Sequence, residues 1–303
     1  EIIAQLPAEL KQSRTIVESR NELISQARRE AENIVRQAQE QSKQMVTKEA
    51  IYVEAKKRSE ELVGQTQAKI EQLRSWIAES KRMVFFGGAG VSTESGIPDF
   101  RSVDGLYHQK FDYPPETIIS HSFFLKNPEY FYRFYREKMI PLGFEPNVTH
   151  RVLARLEQEG HLAAVVTQNI DGLHQKAGSK RVYELHGSVH RNYCEKCGKF
   201  YDLDHILHTT GVPRCDCGGV IKPDVVLYEE ALNDRVIDGA VNAIAQADLL
   251  IVGGTSLNVW PAAGLINYFR GDRLALINKS PVARDLAAGL VITDPIGEVL
   301  SQL

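Results

Sequence analysis

The sequence lacks the features that mark secreted, membrane-bound and nucleic-acid-coating proteins. Its four cysteines all lie between residues 194 and 217, which argues against a disulfide framework and indicates a metal site in a reducing compartment. No apolar run approaches the roughly 18 residues of a membrane helix, and residues 1–25 lack the basic flank and apolar stretch of a secretory signal. The net charge of −3 argues against a protein that coats nucleic acid. We therefore expect a cytoplasmic protein with no membrane and no nucleic-acid partner.

Residues 1–66 lack almost everything that interrupts a helix or builds a core. They contain one proline (Pro7), one glycine (Gly64) and one aromatic residue (Tyr52), and good helix formers dominate. Small and apolar residues recur every seven positions, at Val17, Ile24, Ala31, Ala38, Met45 and Tyr52. We predict one or two long, coiled-coil-like helices that pack against a partner helix. The alternatives are a solvated single helix that acts as a spacer and, for the origin of the segment, a fusion partner.

From about Lys81 the composition changes to short apolar runs separated by glycine-rich turns and helical stretches. The runs are Met83–Phe86, Ala163–Thr167, Leu249–Val252 and Leu274–Ile277. Continuous apolar runs of this length fit strands of a parallel sheet that is buried on both faces. Because helical stretches alternate with them, we predict an α/β fold with a Rossmann-like, doubly wound parallel sheet over residues 67–303.

A glycine-rich turn, Gly87–Thr93, follows the first apolar run. A strand that runs through such a turn into a helix presents main-chain N–H groups to a phosphate, and Ser92 or Thr93 can donate further hydrogen bonds. Many such turns are glycine-rich for packing alone, so packing is the alternative. The acidic residue that Rossmann dehydrogenases carry about 20 residues on is missing, whereas Asn278, after the last run, can bond ribose hydroxyls.

Two polar clusters follow further strands, at the strand ends where open α/β sheets bind ligands. The first is Gln168–His174, whose amides and carboxylate suit a carboxamide and a ribose; a loop with Asx-turn chemistry is the alternative. The second is Val182–Gly187, an apolar strand that delivers His186. A histidine there can act as a general base near neutral pH, and a histidine bonded into the core is the alternative.

The four cysteines form two pairs, Cys194 with Cys197 and Cys215 with Cys217, and each pair is followed by glycine. Four thiolates close a tetrahedral zinc site and leave no position open for water. We therefore predict one structural zinc ion. The ion would stabilise a small module, about residues 190–222, that lacks a core of its own.

Together these segments resemble the sirtuins, the NAD-dependent protein lysine deacylases. The resemblance covers about residues 67–303 and rests on Gly88–Arg101, Thr167–His174, His186-Gly187, the cysteine pairs, Gly254–Leu257 and Pro261-Ala262. It implies a deacetylase that moves the acyl group of an acylated-lysine protein or peptide to ADP-ribose, releases nicotinamide and consumes NAD as a cosubstrate. The alternatives are a mono-ADP-ribosyltransferase with the same NAD site, and a catalytic domain that is the cargo of an engineered helical fusion.

The resemblance also implies roles for individual residues. His186 and Asn169 would be catalytic, with His186 as the proton acceptor. The residues that would bind NAD are Gly88, Ala89, Gly90, Thr93, Asp99, Phe100, Arg101, Gln168, Ile170, Asp171, His186, Gly254, Thr255, Ser256 and Asn278. The residues that would bind the substrate are Tyr132, Val226, Leu227, Tyr228, Asn258 and Val259.

The resemblance implies a peptide site and also shows two departures from the family pattern. Val226–Tyr228 and Asn258–Trp260 would form two strand edges that clamp an extended peptide. Glu229 stands where the family often has the glycine of a Phe-Gly-Glu string. Sirtuins that prefer succinyl-lysine carry a Tyr-x-x-Arg pair, and the stretch Tyr132–Arg136 has Tyr135 in place of that arginine. We therefore expect neutral acyl groups, acetyl first, although the arginine that ends the stretch leaves an acidic acyl group open.

Overall fold

The computed structural model describes residues 8–99, 111–280, 282 and 287–303, with side chains from residue 11 onward. Two residues predicted to bind NAD, Phe100 and Arg101, lie outside the described residues. The chain divides into two units, residues 1–65 and residues 66–303.

The described residues of the first unit, 8–65, lie in one uninterrupted helix rather than two. Helix α1 spans Ala8–Glu79, and every side chain from residue 11 to residue 65 is exposed. The large apolar side chains among them are Ile16, Val17, Leu23, Ile24, Ile34, Val35, Met45, Val46, Ile51, Tyr52, Val53, Leu62 and Val63. In the part of the chain that the structure describes, no helix combines the length and the apolar character needed to cross a membrane.

The described residues of the second unit form two sheets. Their strands are β1 (Met83–Gly87), β2 (Leu162–Thr167), β3 (Val182–Glu184), β4 (Gly187–Cys194), β5 (Phe200–Tyr201), β6 (Ile221–Val225), β7 (Leu249–Gly253), β8 (Arg273–Ile277) and β9 (Leu290–Ile292). The larger sheet has the order β3-β2-β1-β7-β8-β9, and every neighbouring pair in it is parallel. The smaller sheet has the order β5-β4-β6 and is antiparallel. The predicted Rossmann-like sheet is therefore confirmed.

The remaining helices of the second unit cover the sheets. They are α2 (Ala89–Ser92), α3 (Pro115–Ile118), α4 (His121–Lys126), α5 (Pro128–Phe134), α6 (Val148–Gln158), α7 (Leu173–Lys176), α8 (Leu203–His208), α9 (Asp234–Ala245) and α10 (Ile296–Leu300), with a π-helical turn at Tyr135–Met139 and 3-10 turns at Thr93–Ser95 and Ala262–Tyr268. The end of α1, α6 and α10 pack on one face of the larger sheet. Helix α9 and the turn Ala262–Tyr268 pack on the other.

The larger sheet forms where the sequence has continuous apolar runs, because both of its faces are covered. All five residues of β1 and of β7 are buried. Alternate β1 residues enter opposite cores: Phe85 packs with the end of α1, and Phe86 packs with α9. Each of the four predicted runs lies within a strand, whereas the three-residue strand β9 was not predicted because it is too short to stand out as an apolar run.

The smaller sheet rests on a third, aromatic core. Helices α4 and α5 contribute buried rings such as Phe131 and Tyr132, while α3 adds Ile118 and α8 adds Ile206. Cys194 and Cys215 belong to the same cluster of buried residues. The two buried cysteines therefore belong to the same core as the aromatic residues of α4 and α5.

Candidate active site

The strand order of the larger sheet reverses between β1 and β7, and glycine loops follow both strands. Such a reversal opens a crevice at the carboxyl ends of the strands. The Gly90 N–H donates to the Gly254 carbonyl at 2.8 Å. A Cβ on Gly90 would stand 2.9 Å from the Gly254 Cα, and one on Gly88 would stand 3.0 Å from the Thr255 Cβ. The glycines thus let the main chain of the loop after β7 approach the first residues of α2 closely.

Three buried polar side chains connect the first glycine loop to the loop after β2. The Ser92 Oγ donates to the Asp171 Oδ2 at 2.7 Å and accepts from the Asn169 Nδ2 at 2.9 Å. The Asp171 Oδ1 accepts from the Leu173 N–H at 2.9 Å. All three side chains are at most 9% exposed. The fold therefore brings Asn169 and Asp171 together with the glycine turn, and Ser92 joins them.

Hydrogen bonds fix both the carboxylate and the main-chain carbonyl of Asp171. Burial raises the pKa of its carboxyl group, while the hydrogen bonds from the Leu173 N–H and the Ser92 hydroxyl lower it. The Asp171 carbonyl lies 3.0 Å from the His190 Nε2. Gly172 has a φ of 74°, and a Cβ there would lie 2.6 Å from the His190 ring, so only glycine fits this turn without displacing His190.

His186 lies at the end of the loop after β3, beside the loop after β2. Its Nδ1 is 2.9 Å from the Gln168 carbonyl, so the neutral ring carries its proton on Nδ1 and keeps the lone pair of Nε2. Burial lowers the pKa of His186, and the hydrogen bond to Gln168 acts in the opposite direction. The Gln168 side chain donates to the Thr255 Oγ1 at 3.0 Å, which links the loops after β2 and β7.

The main chain next to His186 leads into the predicted peptide edge. Gly187 has a φ of 75°, and a Cβ there would lie 1.8 Å from the Asp224 carbonyl, which explains why glycine follows the histidine. The Val226 N–H donates to the His186 carbonyl at 3.0 Å. Leu227 is buried and Tyr228 is 38% exposed.

The two predicted strand edges are not strands, and this corrects the sequence prediction. Strand β6 ends at Val225, and only Tyr228 forms an isolated bridge, to Ser120. Asn258–Trp260 is irregular because Leu257 has a φ of 56° and Pro261 leads into a 3-10 turn. Asn258 is exposed and Val259 half-buried.

The other residues predicted to bind NAD lie in the segments after β1, β2, β7 and β8. Ala89 and Asp99 are half-buried, Ser256 is exposed, and Ile170 is half-buried against the aromatic core. The Thr93 hydroxyl donates to the Gly90 carbonyl at 3.0 Å. The Asn278 Nδ2 donates to the Ser280 carbonyl at 2.6 Å. This set of hydroxyl, amide and carboxylate groups at one sheet edge has the chemistry that a dinucleotide needs.

Comparison with known proteins places this site in a family. The Sir2 family pattern matches residues 88–261. A protein of Clostridium acetobutylicum named NAD-dependent protein deacetylase is 61% identical over 236 residues, which are 77% of this chain and 96% of that protein. The chain belongs to the Sir2 family. The predicted resemblance to the sirtuins is therefore confirmed.

Solved Sir2 structures have the same fold as this Sir2 chain. A Sir2 structure with a p53 peptide and NAD+ is 40% identical, has a TM-score of 0.69, and aligns over 77% of this chain and 96% of its own. A Sir2 structure bound to an acetylated peptide is 38% identical, with a TM-score of 0.69 and the same coverage. The likeness therefore covers the sequence of the domain as well as its fold.

The cysteine cluster of this Sir2 chain has the dimensions of a zinc site. The four Sγ atoms lie within 4.8 Å of one another. The Cys194 and Cys217 sulfurs are 3.4 Å apart, and the Cys197 and Cys215 sulfurs are 3.6 Å apart. Tetrahedral zinc with bonds of about 2.3 Å places its sulfurs about 3.8 Å apart. The cluster is therefore compatible with the predicted structural zinc ion.

The structure does not bring Tyr132 to the other predicted site residues. Its ring is fully buried in the aromatic core, and its hydroxyl donates to the Ile221 carbonyl. Tyr135 is also fully buried, and the Arg136 Nε donates to the Ile206 carbonyl at 3.0 Å. This stretch supports the small module, and its contacts offer no basis for the acyl preference that the sequence suggested.

A side chain that supports the glycine turn, the Asn147 cap of α6, was not predicted from the sequence. The Asn147 Nδ2 donates to the Val91 carbonyl at 2.7 Å and to the Ser95 Oγ at 2.9 Å, and the Asn147 Oδ1 caps α6. His150, whose ring centroid is 4.7 Å from that of His174, is fully buried, which lowers its pKa to about 4. The helix-start signal Asn147-Val148 was present in the sequence, but the contact with the glycine turn needs the tertiary fold.

Proposed function

We propose that the chain is an NAD-dependent protein deacetylase that acts on acetyl-lysine in proteins or peptides. Relatives with this activity in their names align over almost their whole length, as the C. acetobutylicum protein does. The observation that carries the proposal is the convergence of His186, the Asn169–Asp171 loop and the two glycine loops at one edge of the sheet. We place the catalytic domain at residues 67–303.

The chain's own groups support the following roles in the reaction. Bound NAD supplies the ribose carbon that becomes reactive when nicotinamide leaves. The buried Ser92, Asn169 and Asp171 side chains form a preorganised polar network that would contact the carboxamide, so its contribution is positioning and water exclusion. His186, with Nδ1 bonded to Gln168, accepts a proton from a ribose hydroxyl at Nε2.

The test is nicotinamide release from NAD in the presence of an acetyl-lysine peptide. We expect release that depends on the acetyl group, because the acyl oxygen is the attacking group in this reaction. The same peptide with unmodified lysine is the matched control and should give only background. Equal release with both peptides, together with label transferred from NAD to protein, would instead favour the ADP-ribosyltransferase alternative.

We also propose that the exposed part of helix α1, residues 11–65, pairs with the same segment of a second copy of the chain. Along the exposed face Ile16, Leu23, Ile34, Met45, Tyr52 and Val63 are separated by 7, 11, 11, 7 and 11 positions. A 7 and an 11 together make 18 residues, or five turns of an α-helix, so the stripe stays on one face.

The clustered thiols of residues 194–217 support a cytoplasmic location.

The substitution Ile34→Glu is expected to convert a dimer into a monomer, because it places a charge in the middle of the apolar stripe. Ser25→Glu introduces the same charge on the opposite side of the helix and is the control. Sedimentation velocity of the full chain measures the effect. A wild-type chain that sediments as a monomer would refute the pairing.

A further inference from the structure

The turn at the end of the predicted peptide edge, residues 227–230, contains a glutamate in a backbone conformation that favours glycine. The Glu230 N–H donates to the Leu227 carbonyl at 3.1 Å and closes a four-residue turn. Glu229, the third residue of this turn, has a φ of 77°. That is the left-handed region, where a residue with a Cβ is disfavoured relative to glycine. The glutamate therefore needs a compensating contact.

The Glu229 carboxylate has such a contact at the start of α4. Its Oε2 accepts from the Ser122 N–H at 2.8 Å, and its Oε1 accepts from the Ser122 Oγ at 3.0 Å. Both oxygens thus bind one residue in the first turn of a helix, whose N–H groups have no partner within the helix. The contact fastens the turn to α4 through a side chain that glycine lacks.

The main chain on either side of this contact is fastened to the same segment. The Tyr228 N–H donates to the Ile119 carbonyl, and the His121 N–H donates to the Tyr228 carbonyl, both at 3.0 Å. The Glu230 carboxylate accepts from the Leu227 N–H at 2.8 Å and lies 2.7 Å from the His121 Nδ1. Two successive carboxylates therefore hold one turn.

The position of this turn matters because the turn continues from the edge beside His186. Val226, two residues before Tyr228, donates its N–H to the His186 carbonyl at 3.0 Å. A shift of the turn relative to α4 would therefore move the main chain of 226–228 relative to the histidine. Glu229 and Ser122 are both exposed, so their contact contributes little to global stability but fixes the local geometry.

We propose that Glu229 is a positioning residue for the acylated peptide, acting through Ser122 to hold the 226–228 edge in place beside His186. The inference rests on the proposed function for the identity of the ligand, an extended peptide that carries acetyl-lysine, and for its place along 226–228. The glutamate replaces the backbone freedom of glycine with a fixed turn. An edge fixed before binding costs less conformational entropy when the peptide binds.

The test measures acetyl-lysine peptide affinity by calorimetry on the full chain, without turnover. Glu229→Gly is the decisive variant because glycine suits a φ of 77° but cannot bind Ser122. We expect its melting temperature to equal or exceed the wild-type value while its peptide affinity falls about five-fold, which corresponds to about 1 kcal/mol. Glu229→Gln keeps an acceptor for the Ser122 N–H and should bind within about two-fold of the wild type.

Two controls separate this inference from the proposed function. Glu129→Ala removes an exposed glutamate from α5 and should leave peptide affinity unchanged, and NAD affinity should be the same in all variants. Wild-type peptide affinity in Glu229→Gly would overturn the inference, even in an active enzyme. A wild-type chain that binds the peptide but releases no nicotinamide would refute the proposed function and leave the inference intact. No peptide binding by the wild type would refute both.

Discussion

Replacing His186 with alanine is expected to lower kcat/KM for an acetyl-lysine peptide by about two to four orders of magnitude, the usual contribution of a general base. The structure gives the reason: the Nδ1 proton is directed to the Gln168 carbonyl at 2.9 Å, so Nε2 is the atom that can accept a proton. His186→Asn should lose as much activity. Its amide can still donate to the Gln168 carbonyl but has no basic nitrogen.

The control for this prediction is His161→Ala. His161 immediately precedes β2, at the amino end of the strand, whereas the site lies at the carboxyl ends. Its replacement should leave kcat/KM within about two-fold, as for a substitution away from the reacting groups. Full activity in both His186 variants would remove this residue from the reaction.

The pKa of His186 also predicts the pH dependence of kcat/KM, which reports the free enzyme. The base must be neutral, so activity is lost as pH falls through its pKa. Burial lowers this pKa from its ordinary value, which is about 6.5 for an unperturbed histidine. The acid limb of the profile should therefore lie below about pH 6.5. An acid limb above that pH would mean that His186 is not the titrating base.

Replacing Cys197, a predicted zinc ligand, is expected to unfold the small module and to abolish peptide binding. Structural zinc contributes about 10–16 kcal/mol to the folding of isolated zinc-finger peptides. The aromatic core below the module retains part of its structure, so we expect a loss of several kcal/mol in the unfolding free energy of Cys197→Ser. Zinc content and the thermal unfolding midpoint measure the effect.

The consequence for binding follows from the chain path. Strands β4 and β6 run from the cysteine loops directly to the site, and their ends pair Gly187 with Val225, next to His186 and Val226. Lys199→Ala, which removes an exposed ion pair with Asp216 in the same loops, is the matched control and should retain zinc. A Cys197→Ser protein with wild-type melting behaviour and peptide affinity would contradict a structural metal.

The sequence predicts the parts of the fold that depend on local composition. The four apolar runs became strands because burial on both faces leaves no polar alternation to obscure them. Gly172 and Gly187 were found in motifs, and the structure shows why both must be glycine: a Cβ would meet the His190 ring or the Asp224 carbonyl. A glycine within a motif can therefore indicate such a close approach.

Contacts between segments that are distant in the sequence could not be predicted in this way. Tyr132 is predicted to bind substrate only through its resemblance to the Tyr-x-x-Arg pattern of the family, and the fold puts its ring in the core. The contact of Asn147 with the glycine turn and the left-handed Glu229 both depend on loops that meet only in the folded chain. The predicted strand at Asn258–Trp260 is absent because Leu257 has a left-handed backbone and Pro261 leads into a 3-10 turn.

The most direct measurement of the central claim uses a peptide whose lysine carries a deuterated acetyl group, incubated with NAD and analysed by mass spectrometry. If His186, the Asn169–Asp171 loop and the glycine loops form one acyl-transfer site, the label appears on ADP-ribose in amounts equal to the nicotinamide released. The His186→Ala variant should give none above background. Label found only as free acetate, or ADP-ribose attached to protein with the acetyl group still on lysine, would contradict the account.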